Sequence, residues 1–119
     1  MDKQEINNAI SEHALYKYRL NQVILKGELE SPKGPCTEHD CAFGKWFYGS
    51  DVPPRHRASA YYQRVKELHA EFHKVACNVA HMAVDGDREG AERMMELDGE
   101  FSVISNRMME ALVKWRDNI

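Results

Sequence analysis

No stretch of this 119-residue chain approaches the roughly 18 apolar residues in a row that a membrane-spanning helix needs. No basic stretch offers a footprint for nucleic acid, and the net charge of −3 points the same way. Proline and glycine are few, four and seven residues. They concentrate between Gly27 and Pro54, and long polar-apolar periodic segments flank that region on both sides. Strand signals, internal repeats and low-complexity tracts are absent. So are a glycine-rich phosphate loop and a Gly-x-Ser-x-Gly elbow. None of the six histidines has a glutamate three residues before it, which argues against a carboxylate-bridged di-iron bundle. A Cys–His nucleophile pair stays open but without specific support, and the chain is read as not an enzyme.

Cysteine is also scarce. Three residues, an odd number, fit a reducing compartment better than a disulfide framework. The polar start Met1-Asp2-Lys3-Gln4-Glu5 does not read as a signal peptide. These features place the protein in the cytoplasm, with no direct membrane insertion and no nucleic-acid partner.

What is present is helical periodicity. The length fits one domain over residues 1–119. Ile6, Ile10, His13, Leu20 and Ile24 share one face of a helix expected from Lys3 to Lys26, with Gly27 as its stop. Ser31 to Pro35 reads as a loop. Thr37 is positioned to cap a short helix through Lys45-Trp46-Phe47-Tyr48, ended by Gly49. A long helix follows from Arg57 to Val84, with Tyr61, Val65, Leu68, Phe72, Ala76, Val79 and Ala83 as its apolar stripe. Asp85-Gly86-Asp87 reads as a stop, a tight turn and a new N-cap. A last helix runs from Arg88 almost to the end. Its seam of Ala91, Met94, Asp98, Phe101, Ser105, Met108, Leu112 and Trp115 alternates spacings of three and four. The expected fold is all-α: an antiparallel four-helix bundle with a short helix carrying the cysteine motif.

The chemistry centres on His69-Ala70-Glu71-Phe72-His73. Two histidines at i and i+4 lie one turn apart on one helix face, so their rings can converge on one ion. Zinc favours such neutral nitrogens together with thiolate, four in a tetrahedron. Taken singly, each residue has a plainer reading. His-x-x-x-His pairs arise by chance on exposed helices. His13 alone is a hydrogen-bonded core histidine, and Cys41 alone a small buried hydrophobe. Position changes the weighing. His13 interrupts an apolar stripe, where a polar ring needs a partner. Cys41 sits near a short-helix start, where free N–H groups favour a thiolate. Cys77 and His81 continue the i+4 series, but about 40° of drift per step carries them away from His69. Cys77 then reads as packing. Cys36 and His39 lie near Cys41, and either remains an alternative ligand. His56, after Pro53-Pro54-Arg55, reads as solvated.

The segment Cys41-Ala42-Phe43-Gly44-Lys45-Trp46-Phe47-Tyr48 resembles the Cys-x-Leu/Phe-Gly-Lys/Arg-Trp signature of the chemoreceptor zinc-binding domain family. His69-x-x-x-His73 follows it at the family's distance, and His13 precedes it. The resemblance implies a four-helix bundle, often a homodimer, with one zinc ion on His13, Cys41, His69 and His73. It gives Gly44 a close-approach role and Trp46 a packing role. It further implies a regulatory zinc sensor in signal transduction, attached to a chemoreceptor or a diguanylate cyclase, or standing alone. Two other roles accompany it: oxidant sensing, as of hypochlorous acid, at a zinc-bound Cys41, and a structural zinc that serves dimerisation. A site with four protein ligands leaves no position for substrate water, which favours these roles over hydrolysis.

Overall fold

The structure is a computed structural model and describes residues 2–29, 35–39 and 41–119. The chain is all-helical, with no strand among the described residues. Its helices are α1 (Asp2–Ala14), α2 (Tyr16–Lys26), α3 (Ala42–Phe47), α4 (Pro54–Arg57), α5 (Ala60–Val84), α6 (Arg88–Met94) and α7 (Glu100–Asp117). The loop expected at Ser31 to Pro35 lies outside the described residues except for Pro35.

The single first helix expected over Lys3 to Lys26 is two helices, interrupted at Leu15. The backbone of Leu15 stays right-handed helical, at φ −71° and ψ −17°. Its N–H, however, reaches only three residues back, to the Glu12 carbonyl at 3.3 Å. The interruption is thus a local tightening with no proline or glycine behind it. Gly27 ends α2 at φ 70°, a left-handed geometry that suits a residue without Cβ.

Two other expectations shift. The N-cap of α3 is Cys41, whose sulfur accepts the Gly44 N–H at 3.2 Å; Thr37 lies outside the helix. Arg57 ends the short α4, and α5 begins at Ala60 behind the Ser59 hydroxyl, which accepts the Tyr62 N–H. The last helix is also divided. Residues 95–99 separate α6 from α7, and Asp98 of the expected seam is exposed there beside Leu97, 92% exposed. Of the rest of the seam, Ala91, Phe101, Met108, Leu112 and Trp115 are buried, and Met94 and Ser105 are half-buried. The turn at Asp85-Gly86-Asp87 forms as its residues suggest, with the Asp87 carboxylate accepting the Gly90 N–H at 2.9 Å.

α5 is the central element. It packs against α7, α2, α6 and α4, while α1 packs on α2, α3 and α7. Phe47 of α3 stacks on Tyr62 of α5 with ring centres 4.1 Å apart, and Trp115 of α7 meets both rings edge-on at 5.7 Å. The Tyr62 hydroxyl donates to the Phe47 carbonyl at 2.9 Å. Aromatic rings of this size dominate burial energetics, and here they fix the short α3 against the long helices. That contact sets where Cys41, at the head of α3, points.

Candidate metal centre

Three polar side chains are buried among the described residues: His13 at 1%, His69 at 0% and His73 at 1% exposure. α1 supplies His13 from its last turn, and α5 supplies His69 and His73 one turn apart. Cys41, half-buried, completes the group from the head of α3. One donor atom from each of the four lies within 4.8 Å of every other.

The closest approaches are 3.1 Å between the Nε2 atoms of His69 and His73, 3.4 Å from Cys41 Sγ to His69 Nε2, and 3.9 Å from Cys41 Sγ to His13 Nε2. A zinc tetrahedron with bonds of about 2.05 Å to nitrogen and 2.3 Å to sulfur has edges of about 3.3 Å between nitrogens and 3.6 Å between nitrogen and sulfur. The donor spacing fits that figure.

Backbone carbonyls decide which nitrogen faces inward. His13 Nδ1 lies 2.8 Å from the Ala9 carbonyl, and His73 Nδ1 lies 2.7 Å from the Pro35 carbonyl. A carbonyl oxygen can only accept, so each Nδ1 carries the proton and donates it. The Nε2 of a neutral ring is then a bare lone pair. Two such lone pairs and a sulfur aim at one buried point shared with His69. Without a cation they are held apart by protons, on the Cys41 thiol or on His69 Nε2, which lies 3.1 Å from His73 Nε2 and 3.4 Å from the sulfur. His69 Nδ1 has no hydrogen-bond partner among the described residues, so its ring is oriented by packing and by its inward nitrogen alone.

The electrostatics favour neutral rings. Burial lowers the pKa of His13 to about 4, against the Ala9 bond, which raises it. Burial also drives His69 far down, helped by His73 and His13, and lowers His73. Neutral imidazole is the form that binds zinc. Cys41 behaves otherwise than its place at a helix start suggests. Burial raises its thiol to about 11, outweighing the Gly44 N–H that favours the thiolate, and Glu12 adds to the rise. A metal held through this sulfur would have to displace the Cys41 proton.

Gly44 is required by space. A Cβ there would land on the Glu38 carbonyl oxygen, 2.9 Å from the Glu38 carbonyl carbon and 3.2 Å from His39 Cα. Its absence lets α3 lie against the 38–39 backbone and keeps the Gly44 N–H on the sulfur. Trp46 packs against Trp115 at 5.9 Å. Tyr16 stacks on His13 at 5.4 Å, and Phe43 and Phe72 meet it edge-on, which walls the donors with apolar surface.

A model of the chemoreceptor zinc-binding domain family matches residues 13–80. The chain belongs to that family. The matched span opens at His13 and includes Cys41, His69 and His73, all four members of the cluster. A zinc-binding role in signalling follows for this domain at the family level, and the three-histidine, one-cysteine donor set fits the ion. No curated protein and no solved structure matches the chain.

The rival ligands lie elsewhere. His39 is exposed and packs on Tyr48 at 4.2 Å. His56 is half-buried. Cys36 is joined to Cys77 in a disulfide, with Cα atoms 4.5 Å apart. That corrects the expectation of three reduced cysteines and the reading of Cys77 as packing. The pair forms because residue 36 lies against the flank of α5, a long-range approach with no local signal. The residues that position the rings, Ala9 and Pro35, were missed for a similar reason, since they act through backbone carbonyls.

Proposed function

We propose that His13, Cys41, His69 and His73 hold one zinc ion, and that the 1–119 domain reports zinc availability to a chemotaxis or cyclic-di-GMP signalling partner. The observation that carries this reading is the convergence of carbonyl-oriented Nε2 lone pairs with the Cys41 sulfur. Four protein donors leave no open position, so the ion regulates and does not catalyse. Zinc would join α1, α3 and α5. Its gain or loss shifts packing to the extent that two arrangements bind it unequally. α3, α5 and α1 all rest on α7, which offers a route outward.

In this reading the helices form an antiparallel four-helix bundle that works as a homodimer in the cytoplasm. Leu15, Tyr18 and Leu25 support the dimer. They are 51%, 65% and 62% exposed, and their spacing places them along one side of the α1–α2 rod. The interior seam of α7, by contrast, is used within the chain.

The test is the zinc content of the purified protein beside Cys41→Ala and His69→Ala/His73→Ala. One zinc ion per chain is expected in the native protein, with sharply weaker retention in both variants. Retention unchanged by either substitution sinks the assignment.

A further inference from the structure

A second group of soft donors lies outside the four-residue cluster. Cys36 Sγ, Cys77 Sγ and a ring nitrogen of His81 lie within 4.8 Å of one another. His81 Nε2 is 3.9 Å from Cys36 Sγ. Cys77 and His81 are one turn apart on α5, so both face residue 36 from one side of that helix. Two sulfurs and an imidazole are the donor types zinc selects, provided the sulfurs are thiolates. As a disulfide they are unavailable.

We propose that Cys36, Cys77 and His81 form a redox-gated second metal site, shut by the disulfide and opened to zinc by reduction. A cleft of about 470 Å³ reaches Cys36 and Cys77 from solvent, lined also by Glu38, Lys74 and His73. Cys36 and Cys77 are half-buried and His81 is exposed, so a small dithiol or peroxide has access.

The chemistry balances. A dithiol reductant attacks one sulfur of the Cys36–Cys77 bond through its thiolate and passes through a mixed disulfide. It leaves as its own disulfide, having delivered two electrons and two protons. Zinc then displaces the two thiol protons. In reverse, one thiolate attacks hydrogen peroxide, the O–O bond breaks, and the sulfur becomes a sulfenic acid as hydroxide leaves. The second thiolate attacks that sulfur, the S–O bond breaks with loss of a second hydroxide, and the disulfide closes as zinc departs; two protons from solvent turn the hydroxides into water. Three protein donors leave a fourth position for water, so this site exchanges its ion more readily than a four-donor site does.

The two sites share no ligand, so this proposal stands apart from the four-donor assignment. It is tested on the full chain by competition with a chromophoric zinc chelator, before and after reduction by a phosphine, with thiols counted in parallel. The oxidised native protein is expected to show one thiol and one zinc, and the reduced protein three thiols and two zinc ions. Reduced Cys77→Ser and His81→Ala are each expected to hold one. Reduced Cys41→Ala, whose four-donor site is broken, is expected to keep the zinc that its oxidised form lacks. An oxidised native protein without zinc that gains one on reduction, and loses it in Cys77→Ser, overturns the four-donor assignment and supports this site. Equal zinc in both oxidation states despite three titrating thiols overturns the proposal. So does a second zinc that survives both Cys77→Ser and His81→Ala.

Discussion

Replacing Gly44 by alanine sets two effects against each other. In an exposed helix the change stabilises, because alanine exceeds glycine in helix propensity by roughly 0.8–1 kcal/mol. At this position the new Cβ meets the backbone of Glu38 and His39, with a carbonyl carbon 2.9 Å away and a Cα 3.2 Å away. Neither neighbour is the far end of a flexible side chain, so α3 itself must move. Overpacking of this kind costs about 1–3 kcal/mol. The movement also draws the Gly44 N–H from the Cys41 sulfur, now 3.2 Å away. Loss of a hydrogen bond to a charged acceptor costs about 1.5–3 kcal/mol, and that cost falls mainly on the zinc-bound form, in which the sulfur is a thiolate. Set against the propensity gain, the net expectation is a metal-free protein destabilised by up to about 2 kcal/mol and melting lower. Zinc affinity is expected to fall roughly 10–100-fold, the range for residues that orient a ligand. Thermal melts of the metal-free protein and chelator competition for zinc measure the two separately. A variant that melts higher and binds zinc as the native protein does would refute the reasoning, because propensity alone would then govern the position.

Two further expectations follow from charge and surface. Burial keeps the site histidines neutral in the folded, metal-free protein, with His13 lowered to about 4, while the Cys41 thiol is raised to about 11. Between pH 6.5 and 8.5 zinc then competes with one proton, on Cys41, so calorimetry in buffers of different ionisation heat should find about one proton released per ion and affinity rising about tenfold per pH unit. Over that window the metal-free fold keeps the stability it gains from neutral histidines; below about 6.5, where an unfolded histidine takes up its proton, stability should fall toward pH 4 in urea titrations. No proton release, or stability that rises on acidification, contradicts this account. For the surface, Tyr18→Glu/Leu25→Glu should turn a dimer into a monomer in sedimentation, with zinc content unchanged; a double variant that still dimerises removes the α1–α2 face from consideration.

Legibility in the sequence followed the range of the interactions. Gly27 and Asp85-Gly86-Asp87 announce their turns because left-handed backbone and side-chain caps are settled within four residues. The pair at His69 and His73 is legible for the same reason, since helical spacing alone puts both rings on one face. His13 could be singled out as a polar ring on an apolar stripe. Its true setting, a proton given to the Ala9 carbonyl, is a backbone matter that no side chain advertises. The alternation of three and four runs on through Asp98, a polar member of the seam, so spacing alone misses the gap between α6 and α7. Thr37 is the cap that residue type suggests, yet with Phe43 and Phe47 packed into the core the helix starts behind Cys41. The disulfide had no local signal, because its partners stand 41 residues apart.

That separation belongs to a wider pattern in how the chain is tied. His13 and Cys41 are 28 residues apart, and Cys41 and His69 are again 28 apart. An ion held by all of them closes two loops of equal length, laid end to end along the chain. In the chain-entropy model each such closure removes about 3.5 kcal/mol of freedom from the unfolded ensemble. Every knot falls between His13 and His81; α6 and α7 lie beyond the last. The C-terminal third therefore gains nothing directly from the tether. It is held by packing and by surface contacts such as Arg116 Nη1 to Asn7 Oδ1 at 2.9 Å, and it is the part free to respond when the tether is cut.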